Sequence, residues 1–244
     1  MLLAQISDIH ASPHSTGLDR LGEAVEWIHG LRPDLVVITG DLVDDGWREG
    51  YRAVGDILRG LDCAVHVLPG NGDCQEMMSR ELPEFCAAGQ PMHFSRDLAG
   101  LTFLGLDVTV PGASHGDVAP HLAWLQNALT AANAPSVIFM HQPPVETGIA
   151  PLDAVMCRNA DALAEVLGGA NTAALAILCG HVHRPVAGRL GTTSFHICGS
   201  LCEPNPLLLE GRPTPALTDA PSFAICEIER GHLRHHTISL RARN

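Results

Sequence analysis

Short polar motifs follow several apolar, strand-like segments of this chain, each at the point where the segment ends. Apolar segments of this kind alternate with amphipathic ones through the first two thirds of the 244 residues, a pattern typical of an α/β fold. Because ligands of open α/β sheets bind outside the carboxyl ends of the strands, we expect the motifs to meet in one site. The predicted strands are residues 2–6, 35–39, 64–68, 101–106, 136–140 and 174–178.

The side chains in these motifs are donors of the kind that bind divalent metal ions. They are Asp8, His10, Asp41, Asn71, His141, His181 and His183. Their number exceeds the four donors of a structural zinc site, and a carboxylate such as that of Asp41 can bridge two ions. Mixed imidazole and carboxylate ligands suit Mn, Fe, Zn or Co. The sequence therefore predicts a site for two divalent metal ions, with Mn²⁺ or Fe as the first expectation and Zn²⁺ or Co²⁺ as alternatives.

The spacing of the donors has a structural reason. In Asp8-x-His10 and His181-x-His183, a separation of two residues places both side chains on one face if the backbone stays extended. Glycines before three of the motifs permit a sharp turn and a close approach of the backbone. One such residue alone would more often be a turn former or an ordinary histidine. The metal hypothesis depends on five motifs that occur in order at strand ends.

The charge composition excludes several kinds of chemistry. The chain has 15 basic and 27 acidic residues, a net charge of −12, and every basic residue is an arginine. The absence of lysine excludes a Walker lysine, a Schiff-base lysine and a Ser-Lys dyad. An acidic chain without basic clusters is not expected to bind long nucleic acid. Bound metal ions would supply the positive charge that an anionic substrate needs.

We expect residues 1–244 to form a single domain, since this length suits one compact α/β unit. After residue 183 the pattern changes, and hairpins are predicted at 186–198 and 223–240, so this part should be mainly antiparallel. The Pro-rich segment 199–222 is predicted to be a loop or a small cap.

The apolar stretches, the first residues and the cysteines of the chain indicate the compartment in which we expect the protein. No basic leader precedes the first strand, and no apolar stretch approaches the roughly 20 residues of a membrane span. We therefore expect a cytoplasmic protein that does not associate with membranes. The eight cysteines include no CxxC pair and are expected to be free thiols in apolar surroundings.

The five motifs closely resemble the signature of the calcineurin-like metallophosphoesterase superfamily, which is DxH, GDxx(D/N), GNH(D/E), a single His, and GHxH. Here they read Asp8-Ile9-His10, Gly40-Asp41-Leu42-Val43-Asp44, Gly70-Asn71-Gly72-Asp73, His141 and Gly180-His181-Val182-His183. The resemblance spans residues 1 to about 190. The residues around the motifs are most similar to bacterial class III cyclic nucleotide phosphodiesterases and related glycerophosphodiesterases.

The resemblance implies a four-layer α/β/β/α sandwich of two mixed β-sheets flanked by helices. It further implies that one ion is held by Asp8, His10, Asp41 and His183. The second ion would be held by Asp41, Asn71, His141 and His181, with Asp41 bridging. Catalytic roles fall to Asp41, Asn71 and His181.

The function implied is hydrolysis of phosphodiesters, cyclic nucleotides (3′,5′ or 2′,3′) or related small diesters, by a metal-activated hydroxide. The expected partner is thus a small anionic phosphodiester, and we expect a homo-oligomer, a dimer or higher. Two alternatives stay open: a phosphomonoesterase, and a metal-binding scaffold without catalysis. Comparing p-nitrophenyl phosphate with its bis ester would separate them.

The sequence departs from the family pattern at Gly72, where the family has a histidine that is assigned to protonating the leaving oxygen. Loss of a general acid typically costs 10²–10⁴-fold in rate, and alkoxide leaving groups need protonation most. His14, His115 and Cys74, which lie near the motifs in sequence or in adjoining loops, are alternative proton sources.

Overall fold

The computed structural model describes residues 1–170, 173–209, 212 and 219–240 of the chain. The strands are β1 (Leu2–Ile6), β2 (Leu35–Thr39), β3 (Ala64–Leu68), β4 (Phe94–Leu98), β5 (Leu101–Gly105), β6 (Gly116–Asp117), β7 (Ser136–Phe139), β8 (Cys157–Arg158), β9 (Ala174–Cys179), β10 (Val186–Leu190), β11 (Thr193–Ile197), β12 (Ser222–Glu229) and β13 (His232–Ser239). The helices are α1 (Gly17–Leu31), α2 (Arg48–Leu58), α3 (Gln75–Glu81), α4 (Leu122–Ala131), α5 (Ala150–Asp153) and α6 (Ala160–Gly168), with short 3₁₀ turns at Asp44–Gly46 and Ala119–His121.

The strands form two mixed sheets. The first has the order β13-β12-β1-β2-β3 and the second the order β10-β11-β9-β7-β5-β4, while β6 and β8 form a separate short pair. Parallel pairing joins β1, β2 and β3, and likewise β5, β7, β9 and β11. Antiparallel pairs lie at three of the four sheet edges and between β1 and β12, whereas the edge strand β3 pairs in parallel. The six strands predicted in the first two thirds are all present, three of them with one end shifted by a single residue.

Three apolar clusters show that the sheets and helices stack in four layers. Side chains from both sheets, such as Leu3 and Phe139, pack against each other in the middle of the molecule. Helices α1 and α2 cover the outer face of the first sheet, and α4 and α6 cover that of the second. Because both faces of a central strand are covered, β2 reads as an uninterrupted apolar run ending in Thr39, and all its residues are buried. The expected α/β/β/α arrangement of two mixed sheets is thus confirmed.

The two hairpins predicted near the end of the chain belong to different sheets. Strands β10 and β11 pair antiparallel, but β11 also pairs in parallel with β9 of the second sheet. Strands β12 and β13 form the other hairpin, and β12 pairs antiparallel with β1 of the first sheet. Within the predicted loop or cap at 199–222, residues 210, 211 and 213–218 lie outside the described residues, so this assignment stays a prediction.

Asn159 directly precedes helix α6, but its side chain does not cap the helix. Asn159 adopts a left-handed backbone (φ 64°) and its amide donates to Asp117 Oδ1 at 2.7 Å instead. Over the part of the chain that the structure describes, no helix combines the length and apolar character needed to cross a bilayer.

A pair of stacked imidazoles joins the two sheets and makes stability sensitive to acid. The rings of His196 (β11) and His235 (β13) lie 4.9 Å apart and 9° from parallel, and His235 Nε2 is buried without a hydrogen-bond partner among the described residues. Burial, with the neighbouring His196 and His236, lowers the pKa of His235 to about 4. The imidazole stays neutral in the folded protein, but in the unfolded chain it takes up a proton near pH 6.5. The free energy of unfolding of the protein therefore decreases as the pH falls below that value.

We expect His235→Phe to make the protein less sensitive to acid. Wild type should lose about 2 kcal/mol of unfolding free energy at this residue between pH 7 and pH 5, because the unfolded chain takes up the proton and the folded chain does not. Urea unfolding at both pH values measures the difference, and the exposed His232→Phe serves as control. An unchanged pH dependence in His235→Phe would contradict the assignment.

Candidate metal centre

Six of the seven predicted metal ligands come together at the carboxyl ends of four central strands. Asp8 and His10 follow β1, Asp41 follows β2, His141 lies just beyond β7, and His181 and His183 follow β9. The site therefore uses both sheets, not the edge of one. Four of the side chains are withdrawn from solvent: Asp8 is 0%, Asp41 3%, His141 1% and His181 7% exposed, whereas His10 and His183 are half-buried.

The backbone at these positions is left-handed, not extended. Asp8, His10, Asp41, His181 and His183 all have φ between 47° and 73°. Non-glycine residues rarely adopt this conformation, and aspartate and histidine tolerate it better than most. The expectation that an extended backbone aligns the paired motif residues is therefore wrong. A cluster of such residues is typical of a functional site that the surrounding structure holds in place.

Glycines before the motifs allow the chain segments to approach each other closely. A Cβ on Gly40 would lie 2.6 Å from the Gly70 nitrogen, and a Cβ on Gly70 would overlap the side chain of Asp41. A Cβ on Gly180 would overlap the side chain of Ser7. The expected role of these glycines in close backbone approach is confirmed.

The first group of donors surrounds His183. Its Nε2 lies 3.4 Å from Asp8 Oδ1 and 3.1 Å from His10 Nε2, and His10 Nε2 lies 3.5 Å from Asp41 Oδ2. One donor atom from each of these four residues falls within 4.8 Å of the others. Two imidazole nitrogens that face each other at 3.1 Å need a proton or a cation between them, because both lone pairs are directed inward.

The second group shares Asp41 with the first. His141 Nε2 lies 3.3 Å from Asp41 Oδ2, and donor atoms of Asp41, His141 and His181 fall within 4.8 Å of one another. Asp41 Oδ1 accepts a 2.7 Å hydrogen bond from the Gly72 nitrogen, which leaves Oδ2 between the two groups. The two groups contain the residues that the family resemblance assigns to each ion, except that Asn71 is not part of the second group. Their roles as metal ligands stay a prediction.

Neighbouring groups fix which imidazole nitrogens face the centre. His141 Nδ1 lies 2.6 Å from the Thr39 carbonyl oxygen, and a carbonyl can only accept, so Nδ1 carries the proton and Nε2 faces inward. The Nε2 atoms of His141 and His181 are buried without a hydrogen-bond partner among the described residues. Buried unpartnered nitrogens beside carboxylates are costly unless something binds them. Donor atoms at separations near 3.3 Å suit a metal whose ligands lie about 2.0–2.2 Å away. The residues present therefore fit a pair of divalent ions.

The charges of the centre are strongly coupled. Burial alone would lower the pKa of His183, but the Asp8 carboxylate raises it to about 11; in the same way Asp41 raises the pKa of His141 to about 9. The same contacts hold the pKa of Asp8 and of Asp41 below the ordinary value although burial opposes this. Without metal, protons on the imidazoles neutralise the buried carboxylates, and a bound cation would take over that role.

Asn71 is the predicted ligand that the structure leaves apart from the two groups. Its side chain is exposed, and its Oδ1 accepts a long 3.5 Å hydrogen bond from Gln142 Nε2. The residues on either side, Gly70 and Gly72, both contact Asp41, so Asn71 stands directly beside the second group. Gln142, which is fully buried and also donates to the Ser114 carbonyl, was not identified from the sequence.

Two further side chains that sequence reasoning missed contact the imidazoles of His10 and His183. Asp44 Oδ1 lies 2.6 Å from His10 Nδ1, and Cys202 Sγ lies 3.2 Å from His183 Nδ1. Asp44 occupies the last position of the GDxx(D/N) motif, and that position was the available signal. For Cys202 the sequence offers no signal, because this residue belongs to no motif and lies in a loop far along the chain from His183. All eight cysteines are free, as expected.

We expect Asp44→Asn to reduce metal-dependent activity by about 10–100-fold. A carboxylate that accepts from the remote nitrogen of a metal-ligating histidine orients the ring and raises its basicity, and loss of such partners typically costs this much. Steady-state assays across a Mn²⁺ titration would measure it, with exposed Asp45→Asn as a neighbouring control. Unchanged activity and metal affinity would rule out this role for Asp44.

Comparisons with known proteins agree with this geometry. A sequence model of the family of calcineurin-like phosphoesterases matches residues 1–185. The chain is 32% identical over 198 residues to a probable glycerophosphodiester phosphodiesterase of Arcobacter nitrofigilis, which covers 75% of this chain and 72% of that protein. It is 33% identical over 197 residues to a cAMP/cGMP dual specificity phosphodiesterase of Mycobacterium tuberculosis, covering 75% of this chain and 61% of the relative.

The fold has counterparts among solved structures. A dimetal phosphatase from Danio rerio superposes with a TM-score of 0.71 over 98% of each chain at 15% sequence identity. Identity this low shows a shared fold and nothing about the substrate.

Proposed function

Since this chain belongs to the calcineurin-like phosphoesterase family, we propose that it hydrolyses small phosphodiesters with two divalent metal ions. The observation that carries this proposal is that two groups of donors share one carboxylate, Asp41, whose Oδ2 faces both. Asp8, His10 and His183 would complete the first ion's ligands. His141, His181 and Asn71 would complete those of the second.

The residues of the chain prepare this centre for an anionic substrate. The two ions would lower the pKa of a water molecule and neutralise charge on the phosphoryl oxygens. Asp41 is held by the Gly72 nitrogen, and His10 and His141 are oriented by Asp44 and the Thr39 carbonyl. Because these partners fix the donors before substrate binds, little reorganisation is required during the reaction.

The substrate class rests on the relatives, and an assay on two esters tests it. The two curated relatives described above are named for glycerophosphodiesters and for cAMP/cGMP, both phosphodiesters. With Mn²⁺ bound, we expect bis(p-nitrophenyl) phosphate to be turned over with a higher kcat/KM than p-nitrophenyl phosphate. A preference for the monoester would indicate a phosphatase. No hydrolysis of either ester would indicate a metal-binding scaffold without catalysis.

The identity of the metal is a separate proposal. The donor set is mainly imidazole and carboxylate, which favours Mn²⁺ or Fe over Ca²⁺. Cys202 Sγ also falls within 4.8 Å of the donor atoms of His10 and His183. A cysteine sulfur is a softer ligand than imidazole or carboxylate, and zinc commonly accepts it. Elemental analysis of the purified protein would decide between Mn or Fe and Zn or Co.

Assembly also stays a prediction. The homo-oligomer expected from the family resemblance would be tested by light scattering of the purified chain. A mass close to 25.9 kDa at assay concentrations would contradict it.

We expect Gly72→His to favour alkyl diesters. A Cβ at position 72 would lie 3.2 Å from Asp41 Oδ1, which is tight but leaves room for a small shift. An imidazole there could protonate an alkoxide leaving group, whereas p-nitrophenolate leaves without a proton. The ratio of kcat for a dialkyl diester to kcat for bis(p-nitrophenyl) phosphate should therefore rise about tenfold or more over Gly72→Ala, which introduces the crowding alone. Equal ratios in the two variants would refute the missing-acid explanation.

A further inference from the structure

A cleft of about 610 Å³ opens beside Asn71. Residues of the segments 70–76 and 107–112 line it, together with Gln90 and Pro91. Because Gly70 lines the cleft and contacts Asp41, the cleft adjoins the second group of donors. A group esterified to a phosphate at the metal centre could extend into this space.

The amide of Gln75 has a fixed orientation at the edge of this cleft. Its Nε2 donates to Asp107 Oδ2 at 3.0 Å and to Thr109 Oγ1 at 2.9 Å, which uses both of its hydrogens. The Thr109 hydroxyl donates its only proton to Asp107 Oδ1 at 2.6 Å, so towards Gln75 it can only accept. The amide therefore cannot be reversed, and Oε1 is left as an acceptor that no donor reaches among the described residues.

Asp107 makes this arrangement rigid. It is 2% exposed, and besides Gln75 and Thr109 Oγ1 its carboxylate accepts from the backbone nitrogens of Met92 and Thr109 at 2.9 and 3.1 Å. A buried carboxylate with four donors holds its position without metal or substrate. Gln75 thus presents an acceptor that is fixed in advance.

The charge of the cleft wall is negative. Glu76 and Asp107 contribute carboxylates, and no arginine or histidine occurs among the described residues that line it. Arg80 pairs with Glu76 at 3.0 Å but stays outside the lining. A second anionic group on the substrate would meet repulsion here, with no cation to receive it.

We propose that this cleft receives an ester alcohol of the diester, and that Gln75 is a specificity-determining residue for alcohols that carry a hydroxyl or amino donor and no second negative charge. The inference rests on the proposed function and deepens it. An alcohol with such a donor satisfies Gln75 Oε1, whereas an alkyl group of the same size displaces water from that oxygen and leaves it unpaired.

Three symmetric diesters test this, because either ester group then carries the same probe. The substrates are bis(2-hydroxyethyl), dipropyl and bis(2-carboxyethyl) phosphate, assayed with the Mn²⁺-loaded full chain. Wild type is compared with Gln75→Leu, with Gln75→Met as a second variant of similar length, and with Gln126→Leu at an exposed position of α4 as control. The ratio of kcat/KM for hydroxyethyl to propyl is compared between proteins, so intrinsic reactivity and general damage to the fold cancel.

We expect both Gln75 variants to lower that ratio about five- to tenfold and Gln126→Leu to leave it unchanged. We also expect wild type to use the carboxyethyl diester at least about tenfold less efficiently than the propyl one. A ratio that is the same in wild type and both Gln75 variants, or equal use of the carboxyethyl and propyl diesters, would overturn the inference while leaving the proposed function intact. Turnover of bis(p-nitrophenyl) phosphate without turnover of any of the three diesters would overturn the inference alone, and no turnover of any of the four substrates would overturn both.

Discussion

Asp41→Asn is expected to lower kcat/KM for bis(p-nitrophenyl) phosphate on the order of 10³-fold. The substitution keeps the shape of the side chain, and asparagine tolerates the left-handed backbone that Asp41 adopts (φ 53°). Its amide oxygen can still accept the hydrogen bond from the Gly72 nitrogen. That hydrogen bond would orient the NH₂ group toward His10 and His141. A donor would replace the acceptor that faces both groups, so neither ion could use it.

The effect should appear in activity and in metal content while the fold stays intact. Circular dichroism and elemental analysis of the variant separate loss of metal from loss of structure. Asp161→Asn, at an exposed position in the first turn of α6, provides the matched control for the same chemical change. Activity within a few-fold of wild type in Asp41→Asn would refute a shared ligand at this position.

Removal of metal is expected to abolish activity and to lower the melting temperature by about 5–15 °C. A ligand present at 100 to 1,000 times its Kd stabilises the folded state by about 2.7–4.1 kcal/mol. For a domain of this size, each kcal/mol shifts Tm by about 2–4 °C. The physical reason is the buried charge: the carboxylates of Asp8 and Asp41 and the buried Nε2 atoms of His141 and His181 gain a cation as partner.

Calorimetry of the chelated protein with and without added Mn²⁺ measures the shift. In His181→Ala the shift should shrink, because one donor of the second group is missing; comparing each protein with its own chelated form removes the baseline cost of the substitution. A chelated wild type that keeps its Tm and its turnover of bis(p-nitrophenyl) phosphate would refute both the metal centre and the proposed function.

Much of the fold could be predicted because the central strands are covered on both faces. Strands such as β1 and β2 are apolar except for one polar residue each, Gln5 and Thr39, so their position and length are visible without knowledge of their neighbours. Strand β4 was missed, since its sequence FSRDL is largely exposed at the edge of the second sheet and lacks that signal. The assignment of the two hairpins to different sheets was likewise invisible, because pairing partners are distant in sequence.

The donors of the candidate centre could be predicted because each follows a strand, but their geometry could not. The left-handed backbone at Asp8 and His183 depends on contacts between loops, such as the Asp8 nitrogen donating to the Gly40 carbonyl at 3.0 Å. Likewise Gln75 belongs to no motif, and its role in the proposed subsite depends on Asp107 and Thr109, which lie more than 30 residues away.

By itself, the amino-acid sequence determined the chemical character of this protein: which atoms can bind a cation, that no lysine takes part, and that alternating apolar segments form a layered α/β molecule. Only the tertiary structure decided that Asp41 stands between two groups of imidazoles and that Asp44 and Cys202 contact those imidazoles. It also decided that the hydrogen bonds of Gln75, beside the adjacent cleft, leave its Oε1 as the acceptor. The reason is that residue type and periodicity are local properties of the chain, whereas distances between side chains at strand ends are set by how two sheets pack, with each strand's neighbours drawn from remote parts of the sequence.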